Sequence, residues 1–137
     1  MAGYSGTPLA RKLGIKEGSV IAMINAPVDF QDTLGELPEN VRIAKSTVRL
    51  VDLIVLFADS EKRLRRDFTK QAIKISPKGM LWIAWPKKSS GRTTDLTFAN
   101  VQEIGLAAGL VDVKICAIDD VWSGLKFVYR LKDRPAR

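Results

Sequence analysis

The chain has 137 residues, 46% of them hydrophobic and 27% charged, with a formal net charge of +7 and an isoelectric point near 9.8. That length suits one buried core, so a single domain over residues 1–137 is expected, and no apolar run approaches the roughly 20 residues of a membrane-spanning helix. With no histidine and one cysteine, imidazole dyads and triads, histidine zinc sites, cysteine metal clusters and an internal disulfide are all excluded.

The opening MAGYSGTPLARK has small and polar residues where a secretory leader has an apolar stretch, and Cys116 lies within the apolar run VKICAI. A cytoplasmic protein is the expectation. The excess of positive charge draws anions of any kind, from phosphorylated metabolites to nucleic acid, acidic protein or anionic membrane.

In chain order, Pro8 to Leu13 reads as a short helix with Thr7 as N-cap, Pro8 in the first helical position and Gly14 as the stop. Ser19 to Ile24 is a β-branched and apolar run, entered through Lys16-Glu17-Gly18 and closed by Asn25-Ala26-Pro27, which makes it a strand. A weak helical pattern over Val28 to Leu37 is broken at Gly35. The turn Pro38-Glu39-Asn40 then leads to a short strand, Val41 to Ala44. Leu50 to Phe57 is the most apolar stretch and does not alternate, as expected of a central strand covered on both faces. Only Lys45 to Arg49 separate it from the preceding strand, whereas a parallel crossover takes about ten or more residues. Either that second strand is vestigial or the linking residues run back extended across the sheet.

Asp59-Ser60 then caps a helix whose inner face is Leu64, Phe68, Ala72 and Ile75, with Lys62, Arg63, Arg65, Arg66, Lys70 and Lys74 outside. Ser76-Pro77-Lys78-Gly79 reads as a turn into the strand Met80 to Trp85, in which Trp82 and Ala84 face one way and Leu81, Ile83 and Trp85 the other. The polar loop PKKSSGRTTD precedes a second helix, with Phe98, Val101, Ile104 and Ala108 inward and Gly109 as its cap. Val111 to Ile118 and Leu125 to Leu131 form an antiparallel hairpin through DDVWSG, and 132–137 is expected to fray. The sum is an α/β fold: an open, doubly wound, mostly parallel sheet of five or six strands with an antiparallel C-terminal hairpin.

The strings LGIKEGSVIAMI, VDLIVLFAD and SPKGMLWIAWPK, followed by that hairpin, resemble the class I S-adenosylmethionine methyltransferase core. GYSGTPLARKLGIKEG, WPKKSSGRTTDLT and VDVKICAIDDVWSGLKFVYR are also similar to a family of short bacterial proteins with this core, a match that implies no particular activity. The methyltransferase resemblance implies a glycine-rich turn after the first strand and an acid ending the second. Here stand Asn25-Ala26-Pro27 and Val41-Arg42-Ile43-Ala44-Lys45-Ser46. The expectation is that no cofactor is held tightly, S-adenosylmethionine being the one candidate, with Asn25 and Asp59 near its methionyl end.

Ligands of open α/β sheets sit outside the carboxyl ends of the parallel strands, which singles out Asn25, Ser46, Asp59, the loop after Trp85 and Asp119. Lys87, Lys88, Ser89, Ser90 and Arg92 combine cations and hydroxyls ahead of a helix and form the candidate anion site, though a solvated loop has the same composition. The basic outer face from Lys62 to Lys74 could meet nucleic acid, but no aromatic residues interleave to stack bases. Trp122 either lids a cleft or packs on the sheet edge. Asp119 and Asp120 are adjacent and point apart, so they are no glycosidase pair.

Three functions follow. The leading one is a noncatalytic domain binding a small anion or a partner on a degenerate methyltransferase-like core. The alternatives are a divergent S-adenosylmethionine-dependent methyltransferase and a basic adaptor for nucleic acid or an acidic protein.

Overall fold

A computed structural model describes residues 8–44 and 50–133. Among the described residues six strands form one sheet: β1 (Val20–Ile24), β2 (Arg42–Ile43), β3 (Val51–Phe57), β4 (Ile75–Pro86), β5 (Leu110–Ala117) and β6 (Trp122–Tyr129). Their spatial order is β2-β1-β3-β4-β6-β5. The first four are mutually parallel, and β6 runs antiparallel to both β4 and β5. The methyltransferase-like α/β sheet with an antiparallel terminal hairpin is therefore present.

Among the described residues two α-helices cover each face. α1 (Leu9–Leu13) and α2 (Phe30–Leu34) lie on one side, where Leu13, Phe30 and Leu34 pack on Leu53, Val55, Phe57, Trp82 and Ala84. α3 (Glu61–Ala72) and α4 (Phe98–Ala107) lie on the other, where Leu64, Phe68, Val101 and Ile104 meet Ile54, Leu56, Leu81, Ile83 and Phe127. The unalternating β3 thus has apolar cover above and below, as its composition requires. Burying both faces removes the alternation that a half-exposed strand would show.

Several local expectations shift. Pro8 occupies the N-cap position of α1 rather than its first turn, and Thr7 lies outside the described residues. Ile75 does not extend the inner face of α3, because the helix ends at Ala72 and Ile75 opens β4. Ser76-Pro77-Lys78-Gly79 is no turn either. It is a bulge within β4, where the register against β3 passes from Val51↔Ile75 to Leu53↔Met80. A Cβ at Gly79 would sit 2.9 Å from the Asp52 carbonyl oxygen, so only glycine lets the two backbones approach this closely. Phe98 is 41% exposed and Leu96, at 3%, takes its place in the core.

β2 is two residues long and pairs in parallel with β1, the shortness expected of a vestigial strand. Its link to β3 at 45–49, including Ser46, lies outside the described residues. Leu131–Asp133 form a 3-10 turn, and residues 134–137 are likewise outside. No described helix is long and apolar enough to cross a membrane.

Candidate functional site

The chain leaves β1 toward β2 on one side and later returns to place β3 on the other, so the topology switches direction at β1. In such sheets the crevice outside the carboxyl ends at the switch is where ligands sit. Register puts Ile24 beside Leu56 and Phe57 beside Ala84. Asn25, Asp59 and Lys87 therefore follow one another along the same edge, as the ends of β1, β3 and β4.

Asn25 is exposed and has φ 60°. This left-handed conformation is the one glycine adopts freely and asparagine tolerates best among the other residues. The turn Asn25-Ala26-Pro27 thus makes the tight reversal that its lack of glycine argued against. Pro27 accepts a hydrogen bond from the Phe30 amide as α2 begins. Val28, just past the turn, is fully exposed at the same edge.

Asp59 is also exposed, with a 3.9 Å contact to Arg63, and its carbonyl accepts a 2.7 Å hydrogen bond from the Thr94 hydroxyl. Beside it, the Asp95 carboxylate accepts the Glu61 amide at 2.7 Å, while Ser60 accepts the Arg63 amide. Two side chains therefore satisfy the first turn of α3, one of them 34 residues away in sequence. Thr94 and Asp95 escaped sequence reasoning because the helix they serve is remote.

The loop after β4 is partly committed to itself. Lys88–Ser90 form a 3-10 turn closed by Gly91 at φ 78°, and Ser90 Oγ donates to the Lys87 carbonyl at 2.7 Å and accepts the Arg92 amide. The N-terminus of α4 begins only at Phe98 and carries its own capping box between Thr97 and Asn100. What this loop offers a ligand is therefore the side chains of Lys87, Lys88, Ser89 and Arg92 rather than helix amides. The Arg92 guanidinium lies 5.2 Å from the centre of the Trp122 ring, a cation–π contact that places the charge beside the edge.

Trp122 is 8% exposed, opens β6 opposite Pro86 and meets Phe57 edge to face at 5.0 Å. It packs the sheet end and at the same time floors the Arg92 loop. Asp119 Oδ1 accepts the Val121 and Trp122 amides, which makes it a turn-former. Among the described residues no three acidic or cysteine side chains gather as metal ligands. A recess of about 270 Å³ at the opposite, amino-terminal edge brings Lys16 and Lys78 together with Glu17 and Asp52, so its charges offset one another.

No family model matches the chain, and no curated protein matches it. Solved structures do. A SAM-dependent methyltransferase from Aquifex aeolicus is 15% identical, with a TM-score of 0.60 over 87% of this chain and 86% of that one. The DhpI–SAH complex is 12% identical, with a TM-score of 0.62 over 90% and 82%. Aeropyrum pernix fibrillarin, with natively bound S-adenosyl-L-methionine, is 13% identical, with a TM-score of 0.58 over 88% and 73%. At these identities the likeness shows the fold alone, and that fold is methyltransferase-like.

Proposed function

We propose that this domain binds a small ligand in the crevice at the carboxyl ends of β1 and β3, and that the ligand is S-adenosylmethionine or its demethylated product. The observation that carries the reading is the left-handed Asn25 at the topological switch point. It supplies a tight left-handed turn, the conformation glycine adopts freely, at the strand end where ligands of open α/β sheets sit. Solved structures of the same fold hold S-adenosylmethionine or SAH.

The fit is uneven. The turn suits close backbone approach, and Asp59 stands at the next strand end. β2, however, is followed by Ala44, Lys45 and Ser46, with no carboxylate for the ribose hydroxyls. S-adenosylmethionine would supply an activated methyl group, and this chain would supply the seat. Lys87, Lys88 and Arg92 add positive charge beside that seat, so an anionic group belongs next to it.

Calorimetric titration with S-adenosylmethionine and S-adenosylhomocysteine tests the reading, alongside thermal unfolding. At a hundred times its dissociation constant a ligand stabilises by about 2.7 kcal/mol. Absence of both heat and stabilisation at millimolar ligand refutes it. The missing carboxylate favours a second reading, a noncatalytic anion-binding domain seated on Lys87, Lys88, Ser89 and Arg92, the Ser90 hydroxyl being held within the loop. Phosphate-dependent stabilisation that disappears in Lys87→Ala/Arg92→Ala, without any response to S-adenosylmethionine, selects it.

A further inference from the structure

The outer hairpin carries a second basic surface, on the face that α1 and α2 leave uncovered. Lys126 pairs with Trp82 on one side and with Lys114 on the other, so all three side chains share that face. The Lys126 ammonium lies 5.9 Å from the centre of the buried Trp82 ring. Lys114 Nζ donates at 3.2 Å to the Lys12 carbonyl at the end of α1, which brings Lys12 and, beyond the turn, Lys16 to the same neighbourhood.

Like charges directly opposite one another across strands destabilise a sheet. Among the described residues none of these four lysines has an ion pair, whereas Arg63, Arg65 and Arg66 on α3 are engaged with Asp59, Glu61, Glu103 and Asp67. The opposed Lys114–Lys126 pair is thus a concentration of positive charge with no ion-paired carboxylate among the described residues. Burial and Lys114 lower the pKa of Lys126, in keeping with this.

Two further features say what kind of anion fits. Among the described residues β5 pairs only with β6, and none of them forms a strand along its other long side. On the α4 side of the hairpin, Ile115 pairs with Leu125 and is 55% exposed, and Leu106 of α4 is 41% exposed. Asp112 is tied on that side to Gln102. A strand added beside β5 would present alternate side chains to the two faces, acidic toward the lysines and apolar toward Ile115. Nucleic acid finds charge here but, among the described residues, no exposed stacking ring, since Trp82 is fully buried.

We propose that the free edge of β5, with Lys114 and Lys126 beside it, is a docking strip for an extended acidic segment of a partner protein. The strip lies on the outer side of the sheet and does not depend on what the crevice binds. The probe is a fluorescent peptide of roughly eight alternating glutamate and valine residues, long enough to span the strand. Anisotropy should report saturable binding, and hydrogen exchange should show new protection of those 113–117 amides that face away from β6. Lys114→Gln/Lys126→Gln should weaken binding about tenfold or more, since paired charges are lost. Its thermal midpoint should stay close to the parent's, because the repulsion removed offsets the Lys114–Lys12 hydrogen bond and the Lys126–Trp82 contact that are lost. A peptide with lysine in place of glutamate should not bind. The proposal is overturned by no binding of the acidic peptide, by binding that the double variant retains, or by binding that gives those outward-facing amides no new protection. Tighter binding of a single-stranded oligonucleotide than of the peptide overturns it in favour of a nucleic-acid surface.

Discussion

Replacing Asn25 by valine and, separately, by glycine isolates the backbone demand of the turn after β1. Asn25 is exposed, so neither change removes packing, and what differs is the cost of holding φ at 60°. A left-handed conformation costs an ordinary L-residue about 1–2 kcal/mol, more for a β-branched one and nothing for glycine. Asparagine already bears part of that cost, so valine should destabilise by about 1–2 kcal/mol relative to the parent. Glycine should stay within about 0.5 kcal/mol of the parent, because relief of strain and added freedom of the unfolded chain oppose each other. For a domain of this size the valine variant should melt about 4–8 °C lower. Urea unfolding followed by circular dichroism, with an unchanged m-value, gives the difference directly. Equal stability of the valine and glycine variants would mean that no left-handed turn exists, and the reading of Asn25 as a stand-in for glycine would fail. Titration with S-adenosylmethionine completes the test: binding should survive in the glycine variant and weaken in the valine variant.

Gly105→Ala adds a Cβ inside the Phe127 ring contact, 2.5 Å from Cδ2 and Cζ. Overpacking of about 1–3 kcal/mol should outweigh a gain of about 1 kcal/mol in helix propensity, and Phe127→Leu should recover part of the loss. A Gly105→Ala protein that melts higher than the parent contradicts the packing of α4 on β6. Thr97→Ala removes the capping box of α4 and should cost about 1 kcal/mol in chemical unfolding; an unchanged midpoint rejects the cap. At alkaline pH two groups act oppositely. Burial lowers the Lys126 pKa below 10.5, so the folded state releases its proton first and stability rises with pH up to that value. Burial raises the Cys116 pKa above 9.0, so the unfolded state ionises first and stability falls as pH climbs past 9.0. Cys116→Ala should accordingly become more stable than the parent as pH increases above 9, and Lys126→Met should lose the rising component; parallel pH profiles for all three proteins reject both assignments.

The strands and the faces of the long helices were legible because each is a property of a short window. β3 lacks alternation since both its faces are buried, and Leu64, Phe68 and Ala72 keep the helical period because one side of α3 meets the sheet. The hairpin, the positions of Asn25 and Asp59 at strand ends, and the charge of the 87–92 loop followed from the same local signals. Conformation and partnership were not local. That Asn25 takes glycine's conformation, that 76–79 bulge within a strand, and that Asp95 caps a helix begun 34 residues earlier all depend on segments brought together by the sheet. Ser90 illustrates the point: its hydroxyl is a ligand donor by composition, yet the loop consumes it. Lys114 and Lys126 are unremarkable along the chain and become a site only when register sets them face to face. Propensity and periodicity decide which elements form, because they act over a few residues. Register and packing decide which side chains meet, and those terms exist only once distant parts of the chain have been joined.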